Sequence, residues 1–454
     1  MFKRVLIANR GEIAVRIIRA CREIGIESVA VYSTADRDSL HVRLATYSVC
    51  IGKPHASESY LHIPNIIEAA KAYHCEAIHP GFGFLSENSE FARICEENGL
   101  IFIGPSADLI DLMGNKAEAR KQALIAQIPV VPGSDGVVSS VEEAERIGKS
   151  IGFPILIKAS AGGGGKGIRR VDERSQVATA FHEAKTEAIS CFGNGDLYVE
   201  KLILHPKHVE VQILGDQHGH VVHLGERDCS IQRKNQKMME ESPCKTLSPE
   251  IRRAMGESAV AISKTLGYYS AGTIEYVLDK DGNYYFIEMN TRIQVEHPVT
   301  EMVTGIDLIQ EQIRVAAGLK LRYTQDDIQM NGHAIECRIL AENPVKGFAP
   351  SPGTVQFLHM PGGNGTRVDS YLYNGYTIPP YYDSMLAKLI VHAPTRLEAI
   401  HRMRRVLEEM ILEGFETNTN LCHLILYHPE YLKGTYNVGF LADYIDDLLE
   451  ALEP

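Results

Sequence analysis

The segment from Gly272 to Asn290, GTIEYVLDKDGNYYFIEMN, constrains the fold more than any other stretch of the chain. It reads as two strands of alternating residues joined at Asp281-Gly282, a dipeptide that favours tight hairpin turns. A two- or four-residue turn there sets Glu275 directly opposite Glu288, with Asn290 two residues on along the same face. Like charges opposed across a hairpin are destabilising. Apolar Ile274, Val277, Phe286 and Ile287 predict a covered sheet rather than a free ribbon. Two carboxylates and an amide oxygen on one face suit a hard divalent cation, Mg²⁺ or Mn²⁺ beside phosphates. A solvated face on which the glutamates merely tolerate one another is the alternative.

The rest of the chain divides by its periodicity. In the first hundred residues strand and helix alternate. Val5 to Ala8 reads as a strand, and a helix opens at Gly11 with Ile13, Ile17, Cys21 and Ile24 at helical spacing. Strands follow in SVAVYS, EAIHPGFGF and LIFIG. Repeated βα units predict a parallel, doubly wound sheet. The first turn, Asn9-Arg10-Gly11-Glu12, is not GxGxxG, so a dinucleotide site is weakly supported despite Asp36 after the second strand. A single helix is expected from about Ala107 to Gln127. From Ser139 to about Lys201 a small α+β insert is expected. Antiparallel strands follow from His208 to Asn290, and beyond Asn331 come strands and then helices, one near Arg396–Leu412.

The acidic balance, 58 Asp+Glu against 46 Lys+Arg, disfavours a mainly nucleic-acid-binding role. A local basic cleft can still focus an anion. Nine cysteines without a CxxC pair exclude zinc-ribbon and thioredoxin-like readings and fit a reducing cytosol. The N-terminal apolar run is too short for a signal peptide or a membrane span, so a cytoplasmic protein is expected.

Several segments carry candidate chemistry. Gly162 to Gly165, between Ala161 and Lys166, leave bare backbone N–H groups that can approach phosphate closely. The surroundings are not those of a Walker A loop, because Ser160 and Gly167 stand where Gly and Ser/Thr are needed. A hairpin tip that closes over a ligand is expected, with a plain solvent loop as the alternative. TRIQVEHPVTE places Arg292, Gln294, Glu296 and His297 within a few residues of Asn290. An Arg fork suits an oxyanion, and Glu296 suits a general base if its pKa is moved toward working pH. A short charged surface loop is the other reading. RDCSIQRKNQK, Arg227 to Lys237, reads by itself as a solvated strand edge. His208 alternates with Glu210 and Gln212 and reads as a structural histidine, and Arg338 lies on an expected strand.

Taken together, ANRGEIAVRIIRA, HPGFGFLSEN, MGNKAEAR, IKASAGGGGKG, RDCSIQRKNQK, FIEMNTRIQVEHPVTE and PPYYDSMLAKLI closely resemble the biotin carboxylase family of the ATP-grasp superfamily. The length resembles the free-standing subunit of bacterial acetyl-CoA carboxylase. The resemblance implies an α/β and α+β multidomain fold. Its parts are a Rossmann-like pre-ATP-grasp domain over 1–113, an ATP-grasp domain over 114–330 with a mobile lid at about 131–203, and a C-terminal biotin carboxylase domain over 331–446. It implies a ligase that makes carboxyphosphate from ATP and bicarbonate and carboxylates biotin on a biotin carboxyl carrier protein. That is the first half-reaction on the way to malonyl-CoA and fatty acids. Carboxyltransferase subunits and a second copy of the chain are the implied partners, with no nucleic acid and no membrane. By motif, Lys116, Lys158, Gly164 and Gly165 are implied at the ATP phosphates. Glu200, Lys201, Leu202 and Ile203 are implied at adenine, His208 at the ribose and Asn235 at a phosphate. Glu275, Glu288 and Asn290 are implied as ligands of two Mg²⁺ or Mn²⁺ ions. Lys237, Arg292, Gln294 and Val295 are implied at bicarbonate, Glu296 as its base and Arg338 at biotin. Three residues depart from the family pattern: Asn235 stands where many members carry His, Phe82 where Tyr is usual, and Ala161 where some members carry the first glycine of the run. Another ATP-grasp ligase, the biotin carboxylase subunit of a different acyl-CoA or pyruvate carboxylase, and a non-catalytic nucleotide-binding regulator are the competing readings.

Overall fold

The computed structural model describes residues 1–160 and 167–452. The glycine run holding Gly164 and Gly165 lies outside them.

The βα repeat of the first hundred residues forms the expected parallel sheet. Strands β1 (Arg4–Ile7), β2 (Glu27–Ser33), β3 (Tyr47–Gly52), β4 (Ala77–His79) and β5 (Ile101–Phe102) lie in the order β3-β2-β1-β4-β5. Because side chains alternate along β1, Val5 and Ile7 pack toward α1 (Gly11–Glu23), while Leu6 packs on the other face with residues of α3 (Ile63–Ala72) and α4 (Ser89–Glu97). The short helix α2 (Leu40–Leu44) follows β2. Asp36 is buried. It accepts from Arg10 Nε at 2.7 Å, Arg10 Nη2 at 2.9 Å and the Tyr60 hydroxyl at 2.6 Å, so it is spent on the fold rather than on a ribose.

His41 of α2 is buried in this unit, with Nδ1 2.9 Å from Ser39 Oγ. Burial pushes its imidazole down from 6.5 to about 4, against the pull of Asp36. The unfolded chain therefore binds a proton that the folded one refuses. The stabilisation is full above about pH 6.5 and is lost as pH falls toward 4. His41→Gln should flatten the acid limb of the stability curve by one proton, on the order of 3 kcal/mol across that window. Urea titrations of both proteins between pH 4.5 and 7.5 measure it, and parallel curves would remove His41 as the cause.

The helix expected over 107–127 is two helices, α5 (Ala107–Gly114) and α6 (Lys116–Ile125). Asn115 between them is extended, and its Oδ1 accepts from the Ala117 and Glu118 N–H groups at 3.0 and 3.2 Å. An Asn able to cap the second helix ends the first, and the break starts α6 at Lys116. The insert then runs α7 (Val141–Ile151), β6 (Ile155–Ala159), β7 (Ile168–Val171), α8 (Val177–Phe192) and β8 (Leu197–Lys201), with sheet order β7-β6-β8.

The centre of the molecule is an eight-stranded sheet. It contains β9 (Lys207–Gly215), β10 (Val221–Arg233), β11 (Gln236–Ser242), β12 (Ser270–Leu278), β13 (Tyr284–Asn290) and β14 (His333–Leu340). After β14 come the short strands β15 (Glu342–Asn343), β16 (Ala349–Pro350) and β17 (Phe357–His359). Then β18 (Thr366–Ser370) and β19 (Met385–Ala393) complete the large sheet. Its order is β13-β12-β9-β10-β11-β14-β19-β18, so the chain beyond 331 shares one sheet with the chain before it. Alternation decides the faces. Val209, Val211, Ile213, Ile274 and Tyr276 pack with Met255, Ala259 and Ile262 of α9 (Pro249–Thr265). Ile335, Cys337, Leu389 and Val391 pack on α12 (Arg396–Glu409). The intervening residues, His208, Glu210, Gln212, Glu275, Glu336, Arg338 and Lys388, share the opposite face. There the loop 291–296, α10 (His297–Thr304) and α11 (Leu308–Ala316) cover part of the sheet.

Candidate active site

A cavity of about 760 Å³ opens between the small β6–β8 sheet, α6 and the large sheet. Lys116, Lys158, Glu200, Lys201, Leu202, Ile203, His208 and Asn235 all line it, with Val131, Leu156, Phe286 and Val438 as apolar wall. Residues drawn from seven separate stretches of sequence thus meet around one nucleotide-sized space. Lys158 Nζ lies 2.8 Å from Glu200 Oε2. Burial works against the Lys158 charge, but Glu200 and Tyr198 outweigh it and hold the ammonium above its ordinary value. Asn235 follows Lys234 in a two-residue turn between paired Arg233 and Gln236, and both turn residues have positive φ, 50° and 65°. Such a turn favours Asn for its backbone alone, which accounts for the amide at this position.

The opposed glutamates of the hairpin are present, reached by a different route. The turn holds three residues, Lys280 to Gly282, with Gly282 at φ 86°, and Asp279 N–H donates to the Asn283 carbonyl at 2.9 Å. That odd turn would have offset the pair. An extra residue in β13, Ile287, shifts the register between Tyr276↔Phe286 and Glu275↔Glu288 and restores the opposition. Asn290 Nδ2 donates to Glu275 Oε1 at 2.8 Å, and Lys116 Nζ is 3.4 Å from Glu288 Oε2. The donors are all hard oxygens, which fits a divalent cation of the Mg²⁺ type.

Deeper in, charge is densely packed. Lys237 Nζ is 2.6 Å from Glu210, 3.1 Å from Glu275 and 2.7 Å from Glu296. Burial opposes its charge, yet the three carboxylates hold the ammonium well above its ordinary value. Glu275 also faces His208 Nε2 at 2.9 Å. Arg227 is fully buried and uses its whole fork. Nε donates to Glu210 at 2.6 Å, Nη1 to Gln212 and Thr300 at 2.7 and 3.0 Å, and Nη2 to Thr273 and Gln294 at 3.1 and 2.9 Å. Gln294 passes the network on, its Nε2 donating to Glu275 Oε1 at 2.9 Å. The Arg227–Lys237 segment is therefore a hairpin through the centre of the site, not a solvated edge.

Glu296, the first residue before α10, is buried between Lys237 and Arg338, whose Nη2 is 3.1 Å from Oε2. Burial would raise its carboxyl, but Lys237, Arg338 and Arg227 hold it well below the carboxylate range. The sequence-based expectation of a base tuned toward neutral pH is thus not met in this arrangement. Arg338 Nε also donates to Glu240 at 2.7 Å. Arg292 donates from Nε to Glu87 at 2.7 Å and from Nη2 to Asn290 Oδ1 at 2.8 Å.

Glu87, Arg227, Glu210 and Glu240 are the partners that sequence reasoning did not single out. Glu87 lies in HPGFGFLSEN, about 200 residues before Arg292, where no spacing rule reaches. Arg227 pairs with Glu210 in register only after a bulge at Gly225, φ 83°. That glycine in an alternating run was the one available signal.

Three family descriptions match the chain in succession. "Biotin carboxylase, N-terminal domain" covers residues 1–110. "Carbamoyl-phosphate synthase L chain, ATP binding domain" covers 115–324, and "Biotin carboxylase C-terminal domain" covers 336–443. Biotin carboxylase 1 of Bacillus subtilis is 54% identical over 445 residues, 98% of this chain and 99% of that one. Among solved structures, the biotin carboxylase domain dimer of Hydrogenobacter thermophilus 2-oxoglutarate carboxylase, in complex with MgADP, ADP and bicarbonate, aligns with TM-score 0.93. Its identity is 51% over 99% of both chains. The biotin carboxylase of Campylobacter jejuni, in a β-γ-ATP complex, aligns with TM-score 0.94 and 46% identity over 98% of this chain and 99% of that one. A doubly wound N-terminal sheet, a cleft under a small antiparallel insert, and full-length likeness at this identity lead to one assignment: the chain belongs to the biotin carboxylase family, with a central ATP-grasp domain.

Proposed function

We propose that this chain carboxylates biotin on a separate carrier protein, using ATP and bicarbonate. The observation that carries the reading is Lys237, held by three buried carboxylates between the large cleft and Arg338. ATP lies in the cleft, its adenine along Glu200 to Ile203, its ribose near His208, and its phosphates toward Lys116, Lys158, Gly164, Gly165 and Asn235. Glu275, Glu288 and Asn290 would hold the two Mg²⁺ or Mn²⁺ ions, which would neutralise phosphate charge. Bicarbonate sits against Lys237, Arg292, Gln294 and Val295. A bicarbonate oxygen attacks the γ-phosphorus, the bond to the ADP oxygen breaks, and Glu296 takes the bicarbonate proton. In the second step the C–O bond of the resulting carboxyphosphate breaks, the departing phosphate takes the N1′–H proton of biotin, and the carboxyl carbon forms its bond to N1′. Arg338 meets the negative charge that develops on the ureido oxygen.

Two rearrangements follow from the pairs described above. Arg292 must leave Glu87 to grip bicarbonate. Glu296 is a weak base while Lys237 and Arg338 hold it, so an anion that draws Lys237 away raises its basicity as the substrate arrives.

The finer reading is the carboxylase subunit of acetyl-CoA carboxylase, supplying malonyl-CoA for fatty acid synthesis as a cytoplasmic homodimer beside carboxyltransferase subunits. The dimer in the Hydrogenobacter thermophilus structure supports the homodimer. Nine free thiols, seven of them buried, support a reducing compartment, and no helix among the described residues is long and apolar enough to cross a membrane. A second reading, service to a 2-oxoacid carboxylase, has support from the 51% identity to the 2-oxoglutarate carboxylase domain.

ADP release by the purified chain should require bicarbonate, Mg²⁺ and free biotin together; release indifferent to biotin overturns the reading. Glu288→Gln should raise the Mg²⁺ needed for half-maximal rate about ten-fold, and an unchanged metal titration defeats the metal assignment. Labelled bicarbonate with candidate biotinylated carriers, each paired with its acyl acceptor, separates the two finer readings.

A further inference from the structure

Strand β19 reads MLAKLIVHA, and Leu386, Ala387, Leu389, Ile390 and Val391 are wholly buried, as its place inside the large sheet demands. Lys388 is 0% exposed in the middle of that run. A desolvated ammonium costs several kcal/mol unless it is paired, and an apolar side chain would serve the sheet better. Its position therefore calls for a reason other than packing.

Its partners come from three distant parts of the chain. The ammonium lies 3.2 Å from Glu12 Oε2, on the first turn of α1. It donates to the carbonyl oxygen of Val295 at 2.9 Å. It also stands 5.9 Å from the centre of the Phe82 ring. Across the sheet it is in register with Arg338 of β14. Lys388 thus joins the N-terminal domain, the loop 291–296 and the strand that carries Arg338. Next to it in the loop, the Gln294 carbonyl is held by His297 Nδ1 at 2.8 Å. With both carbonyls gripped, the peptide units from Gln294 to Glu296 have little freedom, and these three residues present an amide, a backbone and a carboxylate to the space beside Lys237.

We infer that Lys388 is a positioning residue for the bicarbonate site: by holding the Val295 carbonyl against the C-terminal sheet, it sets the loop that presents Gln294, Val295 and Glu296 to the anion. The inference rests on the proposed placement of bicarbonate at that loop. Lys388 touches no reacting atom in this scheme. Because the ATP cleft is built from other elements, its loss should fall on one substrate and not the other.

The test is steady-state ADP release by Lys388→Met and Lys388→Arg beside the unaltered protein, with bicarbonate and ATP varied separately. In Lys388→Met the KM for bicarbonate should rise about ten-fold or more while the KM for ATP stays within about two-fold. Lys388→Arg keeps the buried charge near Glu12 but meets the carbonyl through a longer, planar fork, so a smaller rise in the bicarbonate KM alone is expected. An unchanged bicarbonate KM, or equal rises in both constants, overturns the inference in whichever variant folds. Failure of both to fold assigns Lys388 to stability and overturns it as well. Unaltered protein without bicarbonate-dependent ADP release removes the underlying placement of bicarbonate, and the inference with it. Bicarbonate dependence in the unaltered protein with insensitive variants removes only the role of Lys388.

Discussion

Lys237→Met should lower bicarbonate-dependent ADP release by about 10³-fold, the upper range for loss of one preorganised charge in a water-poor site. The reason lies in what the ammonium holds apart. Glu210, Glu275 and Glu296 converge on it within 3.1 Å, and the low pKa of Glu275 and of Glu296 depends largely on it, against burial. Without the charge, burial and mutual repulsion push both carboxyls upward and favour their neutral forms. A protonated Glu296 cannot accept a proton, and a protonated Glu275 is a poor metal ligand. On the proposed assignment of roles, the substitution thus strikes the base, the metal ligand and the anion contact at once. A coupled ADP assay at saturating ATP, with folding confirmed by circular dichroism, measures the loss. Retention of more than about a tenth of the rate would show that Lys237 is structural.

Arg227→Met should cost about 3–5 kcal/mol of stability, the usual penalty for removing one partner of a buried ion pair. Glu210 keeps Lys237 on Oε2 but loses the partner of Oε1, and Gln212, Thr273, Gln294 and Thr300 lose their donor together. Urea unfolding measures the cost. Adding Glu210→Gln to Arg227→Met should recover part of it, because the two residues share one interaction. A single variant within about 1 kcal/mol of the unaltered protein would mean that water replaces the guanidinium freely.

Much of the fold was legible because its signals are local. The βα repeat, the strand alternation of β9 and β12, and the helical spacing of α1 and α12 each depend on a few neighbouring residues. Where a local signal was ambiguous, the reading failed for a definite reason. Ala107 to Gln127 keeps helical composition throughout, and Asn115 ends one helix only because its side chain caps the next. The Glu275–Glu288 opposition was anticipated from an even turn, and the molecule reaches it by an odd turn and a bulge at Ile287. Parity along a strand is fragile in this way, since one extra residue exchanges its faces.

The candidate site divides along the same line. The chain by itself determined which residue types are present and in what local order: the paired acids, the TRIQVEH loop, the basic hairpin, and the resemblance that named their roles. Only the tertiary structure decided their state. It buried Arg227, surrounded Lys237 with three carboxylates, held Glu296 low, occupied Arg292 with Glu87 and set Lys388 beneath Val295. The physical reason is that charge state depends on desolvation and on neighbours within a few ångströms, and here those neighbours come from segments as far apart in sequence as Glu12 and Lys388.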